Sequence, residues 1–366
     1  MRAVLVEEYG VVARLVDVPA PVAAPGGVVL NVEATGLCRS DWHGWRGHDP
    51  DIRLPHVPGH ELAGTVAEVG PGVDGWVVGD RVTVPFICAC GQCVQCRAGD
   101  QQVCPNQEQP GFTYWGSFAE YVAVPYAAVN LVRLPEEIEF DTAAALGCRF
   151  ATAYRGITQV GRLARDEWLV VFGCGGVGLS AVMVAAARGA RVVAVDTSPQ
   201  ALAVAGRFGA ERLLQAGPDV PGLVHELTGG GASLTVDAIG AASVVQQALQ
   251  SLRPRGRHVQ VGLLPGEVRL DVSALIGREL QWFGSHGMAA HAYPEMLALV
   301  ESGAVRPAEL VTSVIGLEDV PAALAAMDDA SPTGITVIHP QETERGHKGP
   351  ANDDTPGHKG PMNGGD

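Results

Sequence analysis

The sequence predicts an α/β protein in two parts: a β-rich domain of short strands and irregular loops, then a doubly wound parallel sheet. Three observations carry this expectation. Brief apolar runs cut by Gly and Pro fill the stretch from Met1 to Phe150. From Glu167 onward a strand, a glycine-rich turn, a helix and a second strand ending in Asp196 follow one another. At 366 residues, the chain exceeds what one ordinary core organises and suggests two domains.

Composition narrows the class. Gly 47 and Pro 25 are high, yet 47% of residues are hydrophobic, so most of the chain is expected to be globular. A net charge of -15 and a pI near 5.1 argue against nucleic acid and anionic membrane as partners. The longest apolar run, from Leu179 to Ala187, is broken by Arg188-Gly189 and is too short to span a bilayer. The N-terminus alternates like a strand and soon turns acidic, unlike a signal peptide. These features predict a soluble cytoplasmic protein, in which a dense cysteine cluster binds metal rather than forming disulfides.

In the first half, Val28 to Val32, Thr65 to Val69, Arg81 to Val84 and Tyr121 to Val124 read as strands. The segment Gly36-Leu37-Cys38-Arg39-Ser40-Asp41-Trp42-His43 offers Cys38 as a thiolate ligand, with Ser40 and His43 spaced for a hydroxyl-to-imidazole proton path. Arg39 is a cation whose fork of donors suits phosphate. The plain alternative is a loop with a buried cysteine and solvated neighbours. His60 lies in Gly59-His60-Glu61, on a turn entering a strand, where a side chain can be aimed at a fixed point; a lone histidine there is more often a packing residue than a ligand. Cys90, Cys93, Cys96 and Cys104 are spaced to wrap one tetrahedral Zn²⁺ with no open position, which predicts a structural metal. Cys88 falls outside the spacing and reads as a spare buried thiol. Cys148 follows a helical run from Ile138 to Leu146 and taken alone reads as a core cysteine; with Cys38 and His60 it makes three ligands and leaves a fourth place free, as a catalytic zinc requires.

In the second half, Gly173-Cys174-Gly175-Gly176-Val177-Gly178 follows the strand ending at Phe172, and Val177 to Ala190 has helix composition. Gly173 permits the turn, Gly175 admits a pyrophosphate against the backbone, and Gly178 allows close helix-to-strand packing. Phosphates are expected at the helix N-terminus. Asp196 can accept bonds from both adenosine ribose hydroxyls and would repel a 2′-phosphate, which favours NAD over NADP. Strands at 233–237 and 258–262 flank a helix at 243–252. A helix at 291–302, a strand at 311–315, a helix at 320–329 and a strand at 335–338 complete the chain, the closing segment returning to the first domain. From Gln341 onward Gly, Pro, Asn, Asp and Lys predominate, which predicts a disordered tail at 341–366 with His347 and His358 as solvated residues.

Together these motifs resemble the zinc-containing alcohol dehydrogenases of the medium-chain dehydrogenase/reductase superfamily, nearly to Pro340. The G-H-E-x2-G-x5-G-x2-V signature stands as Gly59, His60, Glu61, Gly64, Gly70 and Val73, and the Cys-x-Ser-Asp-x-His segment as Cys38, Ser40, Asp41 and His43. The resemblance implies a GroES-like catalytic domain at 1–154 with a structural zinc lobe at 90–104, a Rossmann NAD-binding domain at 155–283, and a C-terminal segment at 284–340 that rejoins the catalytic domain. It implies a catalytic zinc on Cys38, His60 and Cys148, with Glu61 beside it as a neighbour or transient ligand, hence two zinc ions per subunit. It places Arg39 on the cofactor pyrophosphate, Gly176 and Val177 within the NAD fingerprint, and Phe86 and Trp115 on the substrate pocket, although both aromatics could equally be core. The implied activity is reversible NAD-linked oxidation of a small-molecule alcohol to an aldehyde or ketone by a homodimer or homotetramer. A polyol or amino-alcohol dehydrogenase is the alternative enzyme, and a non-catalytic nucleotide-responsive zinc protein the alternative of another class. Two points depart from the family or lie outside it. The region of the last strand, Gly334-Ile335-Thr336-Val337, lacks the basic residue that many members place near the pyrophosphate, and Arg149 beside Cys148 matches no family role.

Overall fold

The computed structural model describes residues 1–264, 266–329 and 334–341. It has the expected α/β architecture, built mainly from two larger sheets. The mixed sheet runs Val311–Gly316, Ile335–His339, Val28–Leu37, Glu61–Val69, Arg81–Thr83, Val132–Arg133, with Tyr121–Val124 also paired to Val28–Leu37. Val28–Leu37 is therefore its spine, and its Val-rich sequence is buried at nearly every position. The strand Ile335–His339 pairs antiparallel with it, Ile338 opposite Thr35 and Thr336 opposite Leu37. Gln341, placed by sequence at the head of the tail, donates to the Glu120 carbonyl at 2.7 Å; residues 342–366, including His347 and His358, lie outside the described residues.

The second sheet is parallel throughout, in the order Arg212–Gln215, Arg191–Asp196, Trp168–Phe172, Ala232–Asp237, Leu252–Gln260, Gln281–Gly284. The chain reverses its direction of winding between Trp168–Phe172 and Ala232–Asp237, and the crevice at such a switch point is where doubly wound sheets bind ligands. Every residue of Trp168–Phe172 is buried. The two-residue repeat of a strand sends Leu169 and Val171 into one core, with Leu179 and Val182 of the helix Gly176–Ala187. Trp168, Val170 and Phe172 face the opposite core with Val193, Val220 and Ala248.

Several elements differ from the sequence-based expectation. Arg39–Trp45 is a short helix, so the alternative reading of this segment as a loop does not hold. Cys38 sits extended at its N-cap and the Asp41 side chain reaches back to the Cys38 N–H, half of a capping box that starts the helix there. The helical run around Cys148 changes pitch: Phe140–Ala145 is α-helical, Leu146–Phe150 is a π turn, Ala151–Arg155 is α-helical again and Gly156–Val160 is π. Inserted π turns widen a helix locally and re-aim its side chains. The helix read to Leu252 ends at Gln250, because Leu252 already begins a strand that carries Pro254 and a positive φ at Arg255. The short, polar strands Arg14–Asp17, Arg212–Gln215 and Gln281–Gly284 have little apolar alternation to reveal them.

One continuous core joins the two sheets, running from Ala34 and Ala63 through Leu146 and Phe150 to Leu179 and Val259. Tyr293, fully buried in it, donates its hydroxyl to the Gly147 carbonyl at 3.1 Å and so pins the π turn. Gly178 marks the tightest approach of helix to strand. A Cβ added there would fall on the Gly173 carbonyl, with Val171 Cγ1 at 3.3 Å behind it. Gly178→Ala is therefore expected to destabilise the protein by about 1–3 kcal/mol through overpacking, read by denaturant unfolding of the full chain. An unfolding midpoint equal to that of the parent would contradict this packing.

Candidate functional site

The antiparallel register of Val28–Leu37 with Glu61–Val69 sets Gly36 opposite Glu61, so Cys38, just past one strand, meets His60, just before the other. Cys148 arrives from the π turn. Ligand atoms of Cys38, His60, Glu61 and Cys148 all lie within 4.8 Å of one another. Asp41, 2% exposed, organises the group. Its carboxylate accepts the Cys38 N–H at 2.8 Å, the Gly59 N–H at 3.1 Å and His60 Nδ1–H at 2.9 Å. In the neutral ring, with Nδ1 donating to Asp41, Nε2 is the acceptor nitrogen, and it is buried with no hydrogen-bond partner of normal geometry. Such an orphan costs roughly 1–3 kcal/mol unless something fills it. A lone pair aimed at two thiols in a dry pocket fits a divalent metal, and zinc in particular by ligand type.

The three donors are coupled through protons, which a bound metal would displace. The hydrogen bond from Cys148 holds the Cys38 thiol well below its ordinary value despite burial, helped by the positive charge of Arg149. The same bond, with burial, drives Cys148 up, so the two sulfurs share a proton between them. Burial works against the charged form of His60, but the charge and hydrogen bond of Asp41 override it and hold the imidazole well above its usual range.

Glu61 is fully buried, and among the described residues its carboxylate is hydrogen-bonded by Arg149 alone. Arg149 donates its backbone N–H to Oε1 at 3.1 Å, its Nε to the same oxygen at 3.0 Å, and its Nη2 to Oε2. Burial opposes the charge on Arg149 as well, yet Glu61 and Cys38 hold it more firmly protonated than in water. Sequence reasoning missed both Asp41 as the organiser and Arg149 as the partner of Glu61. An acidic and a basic residue, each adjoining apolar and ligand positions, were the available signals.

Ser40 Oγ lies 3.8 Å from Cys38 Sγ. His43 Nδ1 stands 3.0 Å from His48 Nδ1, and no direct bond between Ser40 and His43 is present among the described residues. Arg39 is occupied: its guanidinium lies 3.6 Å above the Trp42 ring and donates to the Met327 carbonyl. Phe86 is buried with its ring 6.1 Å from that of His60, and Phe112, which the sequence did not single out, comes nearer at 5.1 Å. Trp115 stands at the surface, 37% exposed, and donates to the Pro55 carbonyl at 3.2 Å.

The four-cysteine lobe is compact. Cys93 Sγ lies 3.3 Å from Cys96 Sγ and 3.8 Å from Cys104 Sγ, and Cys104 Sγ lies 3.5 Å from Cys90 Sγ. Four sulfurs about 2.3 Å from one tetrahedral ion would stand about 3.8 Å apart, so this cage needs little expansion to hold zinc. Backbone N–H groups already point at sulfur, Cys96 N at Cys93 and Cys90 N at Cys104. The Gln92 N–H lowers the Cys90 thiol to about 6. Cys88 stands apart, against the Tyr114 hydroxyl at 3.6 Å, and burial pushes its thiol up to about 12.

At the switch point of the parallel sheet, Gly173 turns with φ 91 and the helix Gly176–Ala187 starts behind Gly175. A Cβ on Gly175 would meet nothing within 4 Å, so the backbone is bare to whatever lies in the crevice. The free N–H groups of this helix end suit a pyrophosphate. Asp196 accepts the Cys174 N–H at 2.6 Å and the Ser198 N–H at 2.7 Å, which fixes its carboxylate beside the glycine turn. Gly176 and Val177 occupy the first two helical positions and Gly178 the third.

Residues 24–136 match the alcohol dehydrogenase GroES-like domain family, and residues 176–302 the zinc-binding dehydrogenase family. The chain is 37% identical over 289 residues to an alcohol dehydrogenase of Rhizobium meliloti (strain 1021), spanning 78% of this chain and 84% of that one. It is 31% identical over 353 residues to an NAD-dependent alcohol dehydrogenase of Sulfurisphaera tokodaii, covering 93% of this chain and all 100% of the relative. Among solved structures, an alcohol dehydrogenase from Thermus sp. ATN1 superposes with a TM-score of 0.86 at 31% identity, covering 93% of this chain and 99% of that one.

Asp41→Asn keeps the shape but places an amide N–H₂ against backbone donors. It is expected to weaken divalent metal binding at Cys38, His60 and Cys148 about 10- to 100-fold and to leave the affinity of the four-cysteine lobe unchanged. Competition with a chelator, followed by metal counting, checks this; an unchanged affinity would remove Asp41 from the site.

Proposed function

The chain belongs to the zinc-containing alcohol dehydrogenase family, and from that premise we propose that it oxidises a small alcohol reversibly to an aldehyde or ketone with NAD as hydride acceptor. The observation that carries this reading is the buried, unpartnered Nε2 of His60 facing two cysteine sulfurs. A zinc ion on Cys38, His60 and Cys148 would supply Lewis-acid polarisation of the substrate oxygen, and NAD would supply the hydride acceptor. A second zinc in the lobe Cys90, Cys93, Cys96 and Cys104 would serve structure alone.

The remaining work falls to side chains of this chain. Asp41 keeps His60 in one tautomer and orientation. Ser40, beside Cys38, is placed to take the alcohol proton, and His43 with His48 to pass it toward solvent, although Ser40 and His43 are not bonded directly. Phe86 and Phe112 exclude water from the imidazole side of the pocket. The first turn of Gly176–Ala187 would hold the pyrophosphate, and Asp196, fixed beside it, would favour NAD by accepting from the adenosine ribose. Arg39 would have to leave Met327 to reach the pyrophosphate.

The domain limits that accompany this reading are a catalytic domain at 1–154, a cofactor domain at 155–283 and a returning segment at 284–340. No described helix is long and apolar enough to cross a membrane, and a cytoplasmic homodimer or homotetramer is part of the proposal. Among the described residues Gln281–Gly284 ends its sheet, and this edge with the exposed Val272 and Ile276 supports association.

NADH formation is expected with at least one member of a panel of primary, secondary, polyhydroxy and amino alcohols. It should fall on chelation and return with zinc. Cys38→Ala is expected to lose one zinc per subunit and all turnover while remaining folded. Full activity in that variant would reject the ligand set, and no turnover with any alcohol in a doubly zinc-loaded enzyme would reject the enzyme reading.

A further inference from the structure

The mechanism above gives no task to Arg149, although this buried cation adjoins a proposed metal ligand. Both it and Glu61 are withdrawn from water, with side-chain exposures of 9% and 0%. Three N–H groups of the one residue converge on the one carboxylate. The pair lies in a slot lined by three glycines. A Cβ on Gly36 would strike Glu61 Oε2 and come 3.1 Å from Arg149 Nη2; one on Gly147 would sit 3.1 Å from Glu61 Cα; one on Gly176 would sit 2.5 Å from Arg149 Cδ. Gly176 is the first residue of the helix at the cofactor crevice, so the arginine stem bridges that helix and the metal-ligand group.

We propose that Arg149 is a positioning residue that holds the Glu61 carboxylate off the metal bound by Cys38, His60 and Cys148, keeping the fourth coordination place free for substrate. The inference rests on the function proposed above. A carboxylate oxygen within 4.8 Å of three ligand atoms is near enough to compete for the metal, and carboxylates are ordinary zinc ligands. Nothing else described bonds Glu61, so the arginine fork sets where the carboxylate stays. Arg149 also follows Cys148 directly in the π turn, so one peptide unit fixes both the sulfur and the anchor of the carboxylate. Methionine at 149 would retain the stem against Gly176 and lose the fork.

The test uses the full-length enzyme with cobalt(II) in place of zinc at this site, because the visible spectrum of cobalt reports its ligands. The parent is measured first, and absence of cobalt from Cys38, His60 and Cys148 defeats the functional reading itself. With cobalt bound, Arg149→Met is expected to alter the spectrum as Glu61 enters the fourth place and to slow metal release to a chelator about tenfold or more. The alcohol KM should rise further than kcat falls, since the carboxylate competes with substrate. Adding Glu61→Gln to Arg149→Met should restore the parental spectrum and release rate. An unchanged spectrum with equal or faster release in Arg149→Met overturns the inference and leaves Arg149 a merely structural role. If Arg149→Met does not fold, Glu61→Gln alone decides: the parental cobalt spectrum supports Glu61 as a non-ligand, and an altered one overturns the proposal.

Discussion

The carboxylate of Asp41 is the contact on which the site depends. Burying a charge is costly unless donors surround it, and three N–H groups do so here, from Cys38, Gly59 and His60. Those donors belong to two chain segments eighteen or more residues apart in sequence. One carboxylate therefore closes the ends of two adjacent strands, caps the helix Arg39–Trp45, and decides which imidazole nitrogen stays bare. Without it the histidine could turn, and two nearby thiols would face no fixed third donor.

The third donor comes from elsewhere in the fold. Cys148 is delivered by a π turn, held from behind by the Tyr293 hydroxyl and from the front by Arg149 on Glu61. That turn packs in the same core as Leu179 of the fingerprint helix, so the metal-ligand group and the cofactor crevice share one rigid support. A hydride donor and acceptor must be held within van der Waals reach of each other, and a continuous core across both sheets is a suitable means.

Much of this was legible in the chain because the chemistry uses local spacing. Four cysteines within a short loop, a glycine turn between strand and helix, and Asp196 closing the next strand need no tertiary information to be recognised. The centre of the doubly wound sheet was equally plain, Trp168–Phe172 and Arg191–Asp196 being apolar runs, whereas its outer strands Arg212–Gln215 and Gln281–Gly284 were not. What stayed hidden depends on distant partners. Asp41 looks like a polar loop residue until Gly59 and His60 fold onto it, and Arg149 looks anomalous until Glu61 meets it 88 residues away. The π turn has no composition of its own; α-helical periodicity describes Phe140–Ala145 and says nothing of the extra residue that follows. Phe112 and Trp115 carry similar sequence signals, and only the backbone turn between them decides that one packs beside His60 and the other bonds the Pro55 carbonyl at the surface.

The most direct test is anomalous diffraction on either side of the zinc edge from crystals of the zinc-loaded enzyme grown with NADH. The account predicts one metal peak among Cys38 Sγ, His60 Nε2 and Cys148 Sγ, a second among Cys90, Cys93, Cys96 and Cys104, and a nicotinamide ring facing the first. Metal confined to the four-cysteine lobe, or a nicotinamide ring docked away from His60, would contradict it.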